Sequence, residues 1–367
     1  MDFTSARSML NSMPRASRTR SAPPRPQESG ELALIERIRR RSAGPHSSAI
    51  RLGIGDDCAI LRPRTGEDLL VTTDFSLEGR HFRSSTSEPA WHSPKSIGHR
   101  TLARGLSDIA AMGARPLAAF LSLALPKTAA RNPAWLDGFL DGLLSLAALH
   151  NVPLAGGDTS ESPSPHILAD IVLLGAAPRG RALLRSGARP GDLLYCTGSL
   201  GGAAAELALL QKSPRRFRTA TPADDHPHLF PVPRLKTGQA LLRRNLATAC
   251  LDISDGLSSD LAHLCQASSA AAGFPVAAEI DAALLPAHPL TAHLTDVEQI
   301  TAILHGGEDY ELLFTAAAST KIPRSLDGVP LTRIGRILKR AKFTPQMTIL
   351  AEGIRFELQP QGWEHLR

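Results

Sequence analysis

The chain has 367 residues, a hydrophobic share of 43%, aromatics at 4% and a formal charge of +6. That length holds two domains of ordinary size with cores of Leu, Ala, Ile and Val, and no apolar run reaches the roughly 18 residues of a membrane span. The charge does not read as a nucleic-acid footprint: residues 1–28 carry +3, Lys212, Arg215, Arg216 and Arg218 add +4, and no aromatic-basic interleaving accompanies them.

Residues 1–30 are rich in Ser, Arg and Pro and are expected to be a disordered basic tail. Their composition faintly resembles a transit peptide; an extended or misassigned start fits equally. No secretory segment is present, so the expected place is the cytoplasm. Cys58, Cys196, Cys250 and Cys265 form no CxxC pair and read as small core residues of a reducing compartment.

ELALIERIRRR has helical periodicity. GDDCAILRP and DLLVTTD follow as strands around Thr65-Gly66, which predicts a hairpin with Asp57 opposite Asp74. Like charges so placed destabilise a sheet unless a divalent cation sits between them. SPKSIGHRTLARGLSDIAAMGARP predicts a helix buried along Leu102, Leu106 and Ile109. Asp108 lies on another face with Gly98, Thr101 and Gly105, where a backbone or a ligand can come close.

LAAFLSLALP is a strand, PAWLDGFLDGLLSLAALHN a helix, and VPLAG a strand leading into Gly156-Gly157-Asp158-Thr159. Paired glycines at a strand end allow a phosphate to approach the backbone. HILADIVLLGAA is another strand. The boundary is placed near 177–180, giving domains 31–177 and 178–367. Beyond it, GSLGGAAAELALL offers a Gly-rich loop opening a helix, a possible phosphate cradle without P-loop spacing.

TACLDIS and DGLSSDLAHLCQASSAAAG predict a strand and a helix, with Asp252 inside the strand end and Asp255 placed to cap the helix. Gly306-Gly307-Glu308-Asp309 then leads into the strand YELLFT. The pattern is α/β with mixed sheets. Acids gather at strand ends and helix starts, where ligands bind. An oxygen-only donor set suits Mg²⁺ or Mn²⁺. No HExxH or GxSxG is present. Together these suggest Mg²⁺ ions bridging a polyphosphate.

GIGDDCAIL, VTTDFSLEGRHF, GLSDIAAMGARP, LAGGDTS, LRSGARPGDLLYCTG, PVPRL, LDISDGL, GGEDYELLFT and GWEHL occur in this order. In that order they resemble the thiamine-monophosphate kinase family, related to aminoimidazole ribonucleotide synthetase and selenophosphate synthetase. The resemblance runs from about residue 31 to the end. It implies an N-terminal metal- and ATP-binding domain forming a dimer barrel, and a C-terminal α/β domain. It implies transfer of the ATP γ-phosphoryl to thiamine monophosphate, giving thiamine diphosphate, in a homodimer. It places Mg²⁺ at Asp57, Thr72, Thr73, Asp74, Asp108, Asp158, Asp252 and Asp255. It places ATP at Gly157, Asp158, Arg185 and Ser254, and substrate at His81, Glu308 and Trp363. Transfer is direct, so no covalent nucleophile is implied, and no strong general base is needed because the acceptor phosphate is already anionic. Phe75-Ser76 departs from the family's usual Thr-Leu, and GWEHLR from its usual close. On the residues alone, another ATP-dependent synthetase, a nucleotide-binding regulator and a phosphate-ester hydrolase remain open.

Overall fold

The computed structural model describes residues 31–42, 48–54, 58–84, 91–217, 219–342 and 344–363. The expected tail and Asp57 lie outside these. Helix α1 (Glu31–Arg41) precedes a short antiparallel pair, β1 (Ile50–Leu52) and β2 (Ile60–Leu61). This corrects the expected hairpin, because β3 (Glu67–Leu77) does not pair with β2. Its whole length pairs antiparallel with β6 (Leu168–Pro178), from Glu67↔Pro178 to Leu77↔Leu168. A long ladder satisfies more backbone groups than a two-residue partner can. Asp74 therefore faces Ile171 across the ladder.

Next in chain order are α2 (Pro94–Ala111), β4 (Arg115–Leu125), the short α3 (Lys127–Ala130), α4 (Pro133–Leu149) and β5 (Leu154–Glu161). The first sheet runs β3-β6-β4-β5. Along β3, alternation turns Leu70, Thr72, Asp74 and Ser76 inward, while Leu69, Val71 and Phe75 are half or more exposed. Ser93 and Asn132 cap α2 and α4, each accepting a backbone N–H of the first turn. The two helices touch through glycines. A Cβ on Gly98 would lie 1.9 Å from the Phe139 carbonyl oxygen, and one on Gly142 1.8 Å from that of Lys95. The expected one-sided burial of α2 is too modest. Most of the helix is buried, because the first sheet, α4 and the second half of the chain surround it.

The second half comprises β7 (Leu193–Thr197), α5 (Gly202–Lys212), α6 (Leu235–Arg243), β8 (Ala249–Ile253), α7 (Leu257–Ala272), β9 (Val276–Asp281) and α8 (Asp296–His305). It continues with β10 (Glu311–Ala316), β11 (Ser325–Leu326), β12 (Val329–Lys339), β13 (Met347–Ala351) and β14 (Ile354–Glu357). The second sheet runs β14-β13-β9-β12-β7-β10-β8, with β11 on β12. The fold is thus the expected mixed α/β. Cys196, Cys250 and Cys265 are buried as expected, whereas Cys58 is exposed. Among the described residues no helix is long and apolar enough to cross a membrane.

Strand periodicity sets the position of the site. Cys250, Leu312 and Phe314 join the core of the first sheet and α2. Their neighbours Leu251, Ile253 and Leu313 join the core around α7. Asp252 shares the parity of Cys250 and so faces α2.

The PVPRL element has a structural role. Arg234 Nε donates to Glu311 Oε2 at 2.7 Å, Arg234 Nη2 donates to Oε1, and Thr197 Oγ1 donates to Oε2 at 2.5 Å. Glu311 is buried, so Arg234→Ala strands its charge. That should lower the free energy of unfolding by about 3 kcal/mol, read from denaturant melts. A loss below about 1 kcal/mol would mean that the pair contributes little.

Candidate active site

A cavity of about 340 Å³ opens where the two halves meet. Three acids enter it from three elements: Asp74 from β3, Asp108 from α2 and Asp252 from the end of β8. Thr72 Oγ1 donates to Asp108, and Ser107 Oγ donates to Asp252 Oδ2 at 2.6 Å. Burial, then the Asp108 charge, push Asp252 up to about 7. The same two causes push Asp74 up to about 6, although Arg104 stands 3.6 Å away. Burial also raises Asp108, against the Thr72 hydroxyl and the Arg185 and Arg104 charges. The trio is an anionic cluster lacking enough cation. Among the described residues, no three His, Cys, Asp or Glu side chains are grouped closely enough to hold a metal ion by themselves.

The opposite wall has the reverse balance. Glu308 Oε1 accepts from Arg100 Nη2 at 2.7 Å and from Arg104 Nη1 at 3.3 Å, while His228 Nδ1 lies 3.3 Å from Oε2. Burial alone would raise this carboxyl, but Arg100, then His228 and Arg104, hold it well below the usual carboxylate range. Glu308 thus stays an anion in the cavity wall.

Three chain segments interlock to shape that wall. Glu308 N donates to Ser254 O at 2.8 Å and Tyr310 N to Ile253 O at 2.9 Å. The turn holds Glu308 at φ 68° and Tyr310 at φ 50°, a left-handed conformation that costs each roughly 1–3 kcal/mol. Gly307 packs so closely that an added Cβ would lie 2.6 Å from the Ser254 oxygen. Trp363 N donates to Asp255 O at 3.0 Å, which sets the half-exposed indole at the cavity rim.

Two local expectations are corrected. Asp255 does not cap α7. Gly256 is the N-cap, and Asp260, from the first turn, accepts the amides of Ser254, Asp255 and Gly256 at 3.1 Å each. The Asp255 side chain instead lines the cavity. The GSLGG loop is no open phosphate cradle either. Its amides at Gly201 and Ala203 already donate to Asp309 Oδ2 and Oδ1 at 2.7 and 3.1 Å.

The cavity therefore gathers Asp74, Asp108, Asp252 and Asp255 with Ser254, and His81 and Glu308 with Trp363. It does not gather the rest. Thr73 Oγ1 donates to Asp170 Oδ1 at 3.0 Å on the open face of the sheet. Gly157 and Asp158 line a separate cavity of about 860 Å³ with Ile38, Ile54, Cys58 and Phe120. Gly157 has its own structural reason: at φ 150° an added Cβ would lie 1.9 Å from the Leu121 oxygen. Arg185 lines neither cavity, although its charge reaches Asp108. Sequence reading missed Arg100, Arg104, His228 and Tyr310. The arginines did carry a signal, since 100, 104 and 108 are successive i, i+4 positions on one helix stripe.

Residues 55–177 match the family described as AIR synthase related protein, N-terminal domain. The chain is 40% identical over 354 residues to a thiamine-monophosphate kinase of Escherichia coli, covering 92% of this chain and 98% of that one. Its fold is similar to the crystal structure of the thiamine-monophosphate kinase of Stenotrophomonas maltophilia, with TM-score 0.72, 38% identity and coverage of 90% and 98%. It is also similar to AaThiL complexed with AMPPCP and TMP, with TM-score 0.69, 30% identity and coverage of 94% and 100%. Matched over nearly its whole described length, the chain belongs to the thiamine-monophosphate kinase family.

Proposed function

We propose that the protein phosphorylates thiamine monophosphate with ATP, giving thiamine diphosphate and ADP. The observation that carries this is one cavity whose two walls suit opposite ends of such a reaction. The acid trio Asp74, Asp108 and Asp252 calls for cations at a polyphosphate. The fixed anion Glu308, beside the exposed Trp363, suits a cationic heteroaromatic ring.

The trio's oxygen-only chemistry and mutual repulsion fit magnesium. Asp74, Asp108 and Asp252 would hold it with Thr72 and Asp255, completed by phosphate oxygens and water; Asp57, Thr73 and Asp158 are further candidates. When bound, magnesium would supply positive charge to neutralise a polyphosphate held against these acids. Arg185 and Ser254, with Gly157, are the proposed ATP contacts. His81 Nδ1 accepts the Leu77 amide at 2.9 Å, so a neutral ring keeps its proton on Nε2 and acts as a donor. No general base is needed, since the acceptor oxygen is already anionic.

The exposed apolar residues Leu69, Val71 and Phe75 on the open sheet face support a homodimer built on that face. We place the domain boundary near residue 178, between the two sheets, and the protein in the cytoplasm. Incubation with ATP, Mg²⁺ and thiamine monophosphate should yield ADP and thiamine diphosphate in equal amounts. ADP without thiamine diphosphate, or no turnover, would overturn the reading.

A further inference from the structure

Behind Glu308 lies a buried chain of imidazoles outside the set of residues assigned above. His92, His228 and Arg100 are each less than 5% exposed. The Arg83 amide donates to His92 Nδ1 at 3.1 Å, His92 Nε2 lies 3.0 Å from His228 Nε2, and His228 Nδ1 lies 3.3 Å from Glu308 Oε2. The backbone amide fixes the direction of this chain. An accepting Nδ1 leaves the proton of neutral His92 on Nε2, which donates to His228 Nε2. That contact in turn leaves the His228 proton on Nδ1, which stands 3.3 Å from Glu308 Oε2 and 3.2 Å from Arg100 Nη1; the arginine nitrogen donates to the His228 carbonyl oxygen, which leaves Glu308 as the acceptor facing Nδ1. Burial, first of all, holds both imidazoles below their ordinary titration range, so both are neutral at pH 7.

We infer that His228, oriented by His92, is a positioning residue that sets the Glu308 carboxylate for the thiamine moiety. Glu308 needs such support, because its backbone is left-handed and half of its wall is a turn without helix or strand. Arg100 and Arg104 hold Oε1 alone. Without His228, Oε2 has no donor among the described residues that fixes the carboxylate plane, and its remaining acceptor site no longer points one way. The effect is therefore on the acceptor substrate and not on ATP. A second-layer group of this kind is worth about 10–100-fold. The inference rests on the kinase reading and on Glu308 contacting the acceptor.

The test is a double-mutant cycle in the full chain, read as kcat/KM for thiamine monophosphate and KM for ATP. His228→Ala should lower kcat/KM for thiamine monophosphate by about 10–100-fold and leave KM for ATP within about twofold. His228→Asn, whose amide can donate near the Nδ1 position, should restore most of the loss. In a Glu308→Gln background, His228→Ala should add less than about twofold, because the group it orients is already altered. Full multiplication of the two losses would overturn the inference, and so would an effect confined to ATP. If His228→Ala does not fold, His228→Leu, which also removes the donor, carries the same cycle. A wild-type protein that forms no thiamine diphosphate would instead sink the kinase reading.

Discussion

Asp252→Asn is expected to cost about a thousandfold in kcat/KM, equivalent to about 4 kcal/mol of barrier, while the metal-free fold is not weakened. The reasoning runs from the strand upward. Alternation along β8 turns Asp252 into the contact with α2, where it is buried beside Asp108 and Asp74. Its charge has only the Ser107 hydroxyl as a described side-chain hydrogen-bond donor. In the resting protein that charge is a liability, and burial raises its pKa to about 7. An Asn keeps the shape and an acceptor for Ser107 but removes the charge a cation requires. Steady-state kinetics with melting curves check both halves. Unchanged turnover at saturating Mg²⁺, or a melting temperature lowered by several degrees, would contradict the assignment.

The second expected result concerns pH. Asp252 titrates at about 7 and Asp74 at about 6 in the fold, both above the ordinary 3.8. For a raised acid, the destabilisation of the fold is complete above the folded pKa. It is relieved as pH falls toward the unfolded value, and is gone below that value. These two groups therefore favour the metal-free fold more at pH 5 than at pH 8. Magnesium reverses the preference, because its ligands must be deprotonated. Apparent Mg²⁺ affinity should fall about tenfold from pH 8 to pH 6, roughly one displaced proton's worth near the Asp252 pKa. The readout is the melting-temperature gain on adding Mg²⁺ at each pH. Only that difference is informative, since buried His92 and His99, held low by burial, bias the protein's own stability in the opposite direction. An equal Mg²⁺ gain at both pH values would refute it, and in Asp252→Asn the pH dependence should flatten.

What was legible in the sequence divides by range. Alternation and apolar runs revealed the strands at 67–77, 168–178 and 249–253, because burial of one face is written into neighbouring residues. Asp74, Asp108 and Asp252 stood out because charges at buried strand and helix ends need a reason. Pairing was not legible. The Thr65-Gly66 turn suggested a local hairpin, but a partner a hundred residues away, Leu168–Pro178, matched β3 along its full length. Nor was it legible who neutralises whom. The helix sequence alone does not say what Arg100 and Arg104 neutralise, and only the arrival of β10 and the 306–310 turn shows what they hold. The Gly201 loop looked free because Asp309, its internal anion, is far along the chain. Asp158 shows the remaining gap: its motif suggested the main site, yet its strand carries it to a different cavity.

The ion pair between Arg100 and Glu308 has a consequence for biosynthesis. Its partners are 208 residues apart. At about 5–20 residues per second, Arg100 is made roughly 10–40 s before its counter-ion. During that interval α2 can form, but neither its arginines nor Asp108 has its final surroundings. The first sheet and α4 can cover much of that helix early, but its strip facing β8 and the 306–310 turn must stay wet until those segments arrive. The nascent chain thus carries an incomplete half-site through most of its synthesis, and a pause in translation before codon 308 prolongs the stage at which it is most open to misassembly.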